Sequence, residues 1–134
     1  MATRTPWLIL SALLVALPLA VDAPPRRNAV VQMEMTAYCT EGETASGEQT
    51  RRGIVAADPE VLPLGSRVRV EGLGKPFDRA YDVADTGREV RGRELDIFMR
   101  DCAAAKEFGR RTARVRILEI GTGARSTTSS PVRR

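Results

Sequence analysis

Three aspartates stand beside turn-forming or apolar neighbours, in Val55-Ala56-Ala57-Asp58-Pro59, Val83-Ala84-Asp85-Thr86-Gly87 and Glu94-Leu95-Asp96-Ile97-Phe98. Asp96 is the most unusual, because it interrupts a strand-like apolar run where aspartate is disfavoured. A carboxylate there either turns outward to water or is partly desolvated. Partial burial beside a second carboxylate raises a pKa, and the resulting acid can protonate a leaving oxygen near neutral pH. That is what breaking a glycosidic bond requires. Each aspartate also has a plainer reading. Asp before Pro or Gly is above all a turn residue that bonds its own backbone, which suits Asp58 and Asp85, and Asp96 can be an outward strand residue. Spacing alone leaves both readings open.

The rest of the composition narrows the chemistry. There is no histidine, which excludes Ser-His-Asp and Cys-His nucleophilic systems and every histidine-containing metal site. Acid–base work falls to carboxylates, Tyr, Lys or Cys. Two cysteines, Cys39 and Cys102, are too few for a zinc site and match one disulfide if the protein leaves the cytoplasm. No metal or organic cofactor is implied. The net charge of +4 invites a nucleic-acid reading, but residues 24–120 hold 17 basic against 16 acidic side chains. The excess sits at Arg125, Arg133 and Arg134, so no phosphate-binding stripe and no nucleic-acid partner are expected.

These residues must be positioned by one small domain. Residues 4–23 have a basic start, an apolar run over 7–21 and a small-residue end at Val21-Asp22-Ala23. The run falls short of the roughly 20 residues a spanning helix needs, so residues 1–23 read as a cleaved signal peptide rather than an anchor. A membrane association is expected only through that segment if uncleaved. Residues 24–32 read as a linker, 33–120 as the domain and 121–134 as a disordered Gly/Ser/Thr/Arg tail. Strands are expected over 29–39, 53–57, 67–71, 79–84, 95–99 and 113–120, several with the alternation of a sheet wetted on one face. A helix is expected over 101–108, with Asp101 as N-cap and Gly109 as stop. Six short strands and one helix make an all-β domain that should close on itself to hide its edges.

Several segments together carry a family resemblance. Met35-Thr36-Ala37-Tyr38-Cys39, Ala45-Ser46-Gly47, Gly53-Ile54-Val55-Ala56-Ala57-Asp58-Pro59, Leu62-Pro63-Leu64-Gly65, Ala84-Asp85-Thr86-Gly87 and Leu95-Asp96-Ile97-Phe98 resemble, in that order, the three-aspartate (3D) domain. This is the catalytic barrel of lytic transglycosylases of the membrane-bound A type and of stationary-phase-survival, resuscitation-associated wall proteins.

The resemblance implies a six-stranded double-psi β-barrel with one short α-helix, exported to the periplasm or cell wall. It also implies a peptidoglycan glycan substrate, cleaved without water between N-acetylmuramic acid and N-acetylglucosamine to a 1,6-anhydro product. Asp96 matches the acid/base, Asp85 the group that holds it protonated and steadies the oxocarbenium-like transition state, and Asp58 a weaker support of the same cleft. Thr36, Tyr38, Thr86, Gly87 and Arg91 fall at positions expected to bind substrate, with Tyr38 equally readable as a core aromatic. Relatives also place cysteines where Cys39 and Cys102 stand, implying a disulfide. The chain departs from the pattern at Arg88 and Glu89, which add bulk and charge beside Asp85, and at Gln49, where a Lys is usual. The alternative function is a non-catalytic glycan-binding or expansin-like wall-loosening module. Against tight binding, one Trp, two Tyr and three Phe are a thin supply of rings on which to stack sugars.

Overall fold

A computed structural model describes residues 23–125; the expected signal peptide, apart from Ala23, and residues 126–134 of the expected tail lie outside the described residues. The elements run β1 (Val30–Tyr38), β2 (Ile54–Ala57), β3 (Arg67–Glu71), β4 (Ala80–Asp85), β5 (Glu94–Phe98), α1 (Cys102–Phe108) and β6 (Arg111–Glu119). The six strands close into a barrel in the order β1-β5-β2-β4-β3-β6. Two of its ladders are parallel, β1 with β5 and β2 with β4.

Alternation decides what fills the barrel. Met33 and Met35 on β1, Val68 and Val70 on β3, Leu95 and Ile97 on β5, and Ala113, Val115 and Ile117 on β6 point inward and are fully or nearly buried. The arginines between them on β3 and β6 stay in water. β2 breaks this rule, since all four of its residues are buried. Val55 and Ala57 face the core, while Ile54 joins Ala84 and Phe98 in a second, outer cluster against which Tyr38 packs. β2 is therefore covered on both faces, which explains its unbroken apolar run.

α1 starts where Asp101 accepts hydrogen bonds from the amides of Ala103 and Ala104, a cap contributing about 1 kcal/mol. Phe108 anchors its end, edge-on to Phe77 with ring centroids 5.0 Å apart. A Cys39–Cys102 disulfide ties the end of β1 to the start of this helix. Closing a loop of 63 residues stabilises the fold by about 4 kcal/mol in the chain-entropy description.

Two boundaries differ from the sequence expectation. β1 begins at Val30, in keeping with the strand expected over 29–39 but inside the stretch 24–32 read as linker, because Val30 and Val31 pair with Arg116 and Val115 of β6. Residues 121–125 are not a loose tail. The Gly121 amide donates to the Ser66 hydroxyl at 2.9 Å, the Gly123 amide to the Leu64 carbonyl at 3.0 Å, and Arg125 reaches Glu43 and the Ala45 carbonyl. A Cβ on Gly121 would lie 2.1 Å from the Leu64 carbonyl oxygen. The glycine that composition assigns to flexibility serves close backbone approach instead.

Candidate functional site

The register lines up four side chains across the outer surface of the barrel. Thr36 on β1 stands opposite Asp96 on β5, Asp96 opposite Ala56 on β2, and Ala56 level with Asp85 on β4, just past a bulge. Asp85 and Asp96 are thus two strands apart, about 10 Å at the backbone, with only an alanine methyl between them. Beside this polar row runs the apolar cluster of Tyr38, Phe98, Ile54 and Ala84. Tyr38 packs edge-on against Phe98 with centroids 5.5 Å apart, and its hydroxyl reaches over to donate to Asp85 at 3.1 Å.

Asp96 is partly buried and accepts a 2.9 Å hydrogen bond from the Thr36 hydroxyl. Burial pushes its pKa above the ordinary carboxylate value; the Thr36 bond opposes that rise, and the negative charge of Asp85 adds to it. Asp85 is held at both oxygens. Besides Tyr38, it accepts the amide of Ala45 at 3.0 Å and that of Thr86 at 2.9 Å. Tyr38 is driven far above its usual pKa, first by burial and then by the charge of and bond to Asp85, so it remains a neutral donor.

Asp58 is different in kind. It is buried, with Oδ1 accepting the Glu60 amide at 3.0 Å and Oδ2 the Gly92 amide at 2.8 Å. The Gly92 bond leads the causes that lower its pKa, against a burial cost, with the Glu60 bond and the Arg91 charge adding to the fall. The side chain therefore fastens the turn after β2 to the loop that feeds β5.

The remaining expected positions spread around these groups. Thr86 is exposed and contributes its amide to Asp85. Gly87 opens a turn closed by the Val90 amide, and a Cβ there would lie 2.7 Å from Val90 Cγ2. Arg91 is exposed and acts electrostatically on Asp58. Arg88 and Glu89 are exposed, as is Gln49, which bridges Glu43. Sequence reasoning missed the amide of Ala45 as a partner of Asp85, and Ala56 as the small residue between the two carboxylates. The ladder register reveals the second, and the folded loop after β1 the first. Among the described residues no cluster of His, Cys, Asp or Glu could hold a metal ion.

A family described as the 3D domain matches residues 53–119, a span that contains all three aspartates. The chain belongs to the 3D domain family. It is 36% identical over 89 residues to the putative cell wall shaping protein YabE of Bacillus subtilis, covering 62% of this chain and 21% of that protein. It is 36% identical over 81 residues to the cell wall-binding protein YocH of the same organism, covering 58% and 26% respectively. The chain thus spans only about a fifth to a quarter of the length of these relatives. Among solved structures, MltA from Escherichia coli, described as having a unique lytic transglycosylase fold, superposes with a TM-score of 0.50 at 21% identity, over 61% of this chain and 28% of that one. That likeness establishes the fold of this 3D domain.

Proposed function

We propose that this 3D domain is a peptidoglycan lytic transglycosylase, with Asp96 as its catalytic residue. The observation that carries the reading is a partly buried carboxyl whose pKa is raised by its surroundings, set across the ladders in a row with a second, also partly exposed carboxylate. Protonated Asp96 donates to the oxygen linking N-acetylmuramic acid to N-acetylglucosamine, and that bond breaks with the electron pair leaving on the protonated oxygen. The muramyl C6 oxygen then closes on C1 while its proton passes to the Asp96 carboxylate, restoring the acid. Because an internal hydroxyl supplies the nucleophile, no water-sized gap between paired carboxylates is needed. Asp85 raises the proton affinity of Asp96 and places negative charge near the oxocarbenium-like transition state. Thr36 and Tyr38 line the same row and can bond the sugar, while Asp58 supports the site as an anchor of the loop before β5.

The finer topology, a double-psi barrel, belongs to the same proposal and is supported by the two parallel ladders. Export to the wall is supported by the disulfide and by the names of the relatives. The name of YocH favours a second reading, binding to the wall without cleavage. Incubating purified murein with the protein separates the two. Cleavage predicts 1,6-anhydromuropeptides by mass spectrometry that disappear with Asp96→Asn. Retention on murein without such products, unchanged in that variant, would establish the binding module instead.

A further inference from the structure

At the mouth of the barrel where β2 and β4 begin and β5 ends, a cavity of about 430 Å³ lies between aromatic side chains and arginines. Phe77, Tyr81 and Phe98 supply its apolar surface, and Arg52, Arg79 and Arg100 its charge. Neither Asp85 nor Asp96 lines it, so the proposed chemistry leaves it unused. Nearby acids are already engaged. Arg51 binds Glu48 and Asp82, and Arg100 binds Glu41. Asp101, which also lines the cavity, caps α1. Arg52 and Arg79 meet no carboxylate among the described residues. Arg79 lies 5.8 Å over the Tyr81 ring, and a Cβ on Gly53 would come within 3.3 Å of its guanidinium. The left-handed Gly53, at φ +91°, thus leaves room for Arg79 beside the backbone.

Two uncompensated guanidiniums over an aromatic hollow suit a ligand that joins a carboxylate to an aliphatic group. Phe98 follows Asp96 by two residues on β5 and lies on the same face, about 7 Å along the strand. A glycan crossing Asp96 would therefore carry its substituents toward this cavity. We propose that the cavity binds the acidic peptide borne by muramyl residues, with Arg52 and Arg79 receiving a carboxylate and the aromatic surface an aliphatic side chain. This rests on the peptidoglycan reading above. A bare polyphosphate chain would leave the aromatic surface without a partner, so the peptide is the better match.

The test is an amide-resolved NMR titration of the whole chain with the peptide L-Ala-D-Glu-L-Lys-D-Ala, its C-terminal amide, and oligomeric glycerol phosphate. The expected result is shifts at Gly53, Phe98 and Met99 with the acidic peptide. Affinity should fall about ten-fold or more in Arg79→Gln and in Arg52→Gln, the scale of one charge-assisted contact. Arg26→Gln, exposed and outside the cavity lining, should bind as the parent does. Arg52 is exposed, so its variant keeps the test valid if Arg79→Gln fails to fold. Absence of peptide-induced shifts, or stronger shifts with glycerol phosphate at the same amides, overturns the proposal. Murein cleavage by the same samples reports separately on the parent reading: cleavage without peptide shifts refutes the peptide site alone. Peptide shifts without cleavage leave the site supported and refute the enzyme.

Discussion

Asp58 directly follows β2 and Asp96 lies on β5, the antiparallel neighbour of β2, both after apolar residues, yet their surroundings push them in opposite directions. Asp58 has main-chain amides on both oxygens, and their partial charges favour its ionised form despite its burial. Asp96 has one hydroxyl donor and faces the charge of Asp85, so burial wins and its neutral form is favoured. The same residue type becomes a clamp in one place and an acid in the other. The number of donors aimed at the charge decides which, as burial alone does not.

The largest break of this comparison is expected in activity. Asp96→Asn should reduce formation of anhydro product by about 10²–10⁴-fold, whereas Asp58→Asn should act mainly through stability. Replacing both cysteines by serine should cost about 4 kcal/mol, read by chemical denaturation. That loss should loosen the Thr36–Tyr38 end of β1 before the Asp58 turn, which hydrogen exchange can resolve. Asp58→Asn should cost about 1.5–3 kcal/mol at neutral pH, the scale of hydrogen bonds to a charged group.

The sign of the pH dependence sharpens the contrast. The folded pKa of Asp58 lies below its unfolded value, so its contribution is full above the unfolded pKa and is lost as pH falls through the folded one. For Asp96 the folded pKa lies above, so its contribution is present below the unfolded pKa and is lost as pH rises through the folded value. Asp96→Asn should therefore stabilise the protein modestly at neutral pH and lose that advantage in acid. Thermal melts of both variants across pH 2–8, on the order of the range over which carboxylates titrate, check this. The smallest effect is expected in Asp85→Asn. Removing its charge should move the alkaline limb of the pH–rate profile to lower pH, by less than the whole shift of Asp96, since burial is the larger cause.

Much of the fold could be read from local pattern. The alternation Arg67-Val68-Arg69-Val70-Glu71 matches β3 residue for residue, and Asp101 caps α1 as its position before Ala103 and Ala104 suggests. What local pattern cannot carry is which strands become neighbours. The parallel pairing of β1 with β5 brings Thr36 to Asp96 across 60 residues, and no short-range signal encodes it. Charge and glycine content also misled where tertiary contact overrides composition. Gly121 and Gly123 look like a flexible tail but fit against Pro63, Leu64 and Ser66. Arg52, Arg79 and Arg100 are scattered in the sequence and meet only at the barrel mouth. The aspartates were singled out by type and setting, while their different electrostatic fates depend on amides from Ala45, Glu60 and Gly92 that only the folded chain delivers.

Asp96 keeps its proton to higher pH than an ordinary aspartate because of where the barrel places it. Carboxyl-carbon NMR titration of the folded protein measures this directly, with Asp58 as the internal contrast. Asp96 should titrate above the usual aspartate value and Asp58 below it. An Asp96 that titrates at or below Asp58 would contradict it.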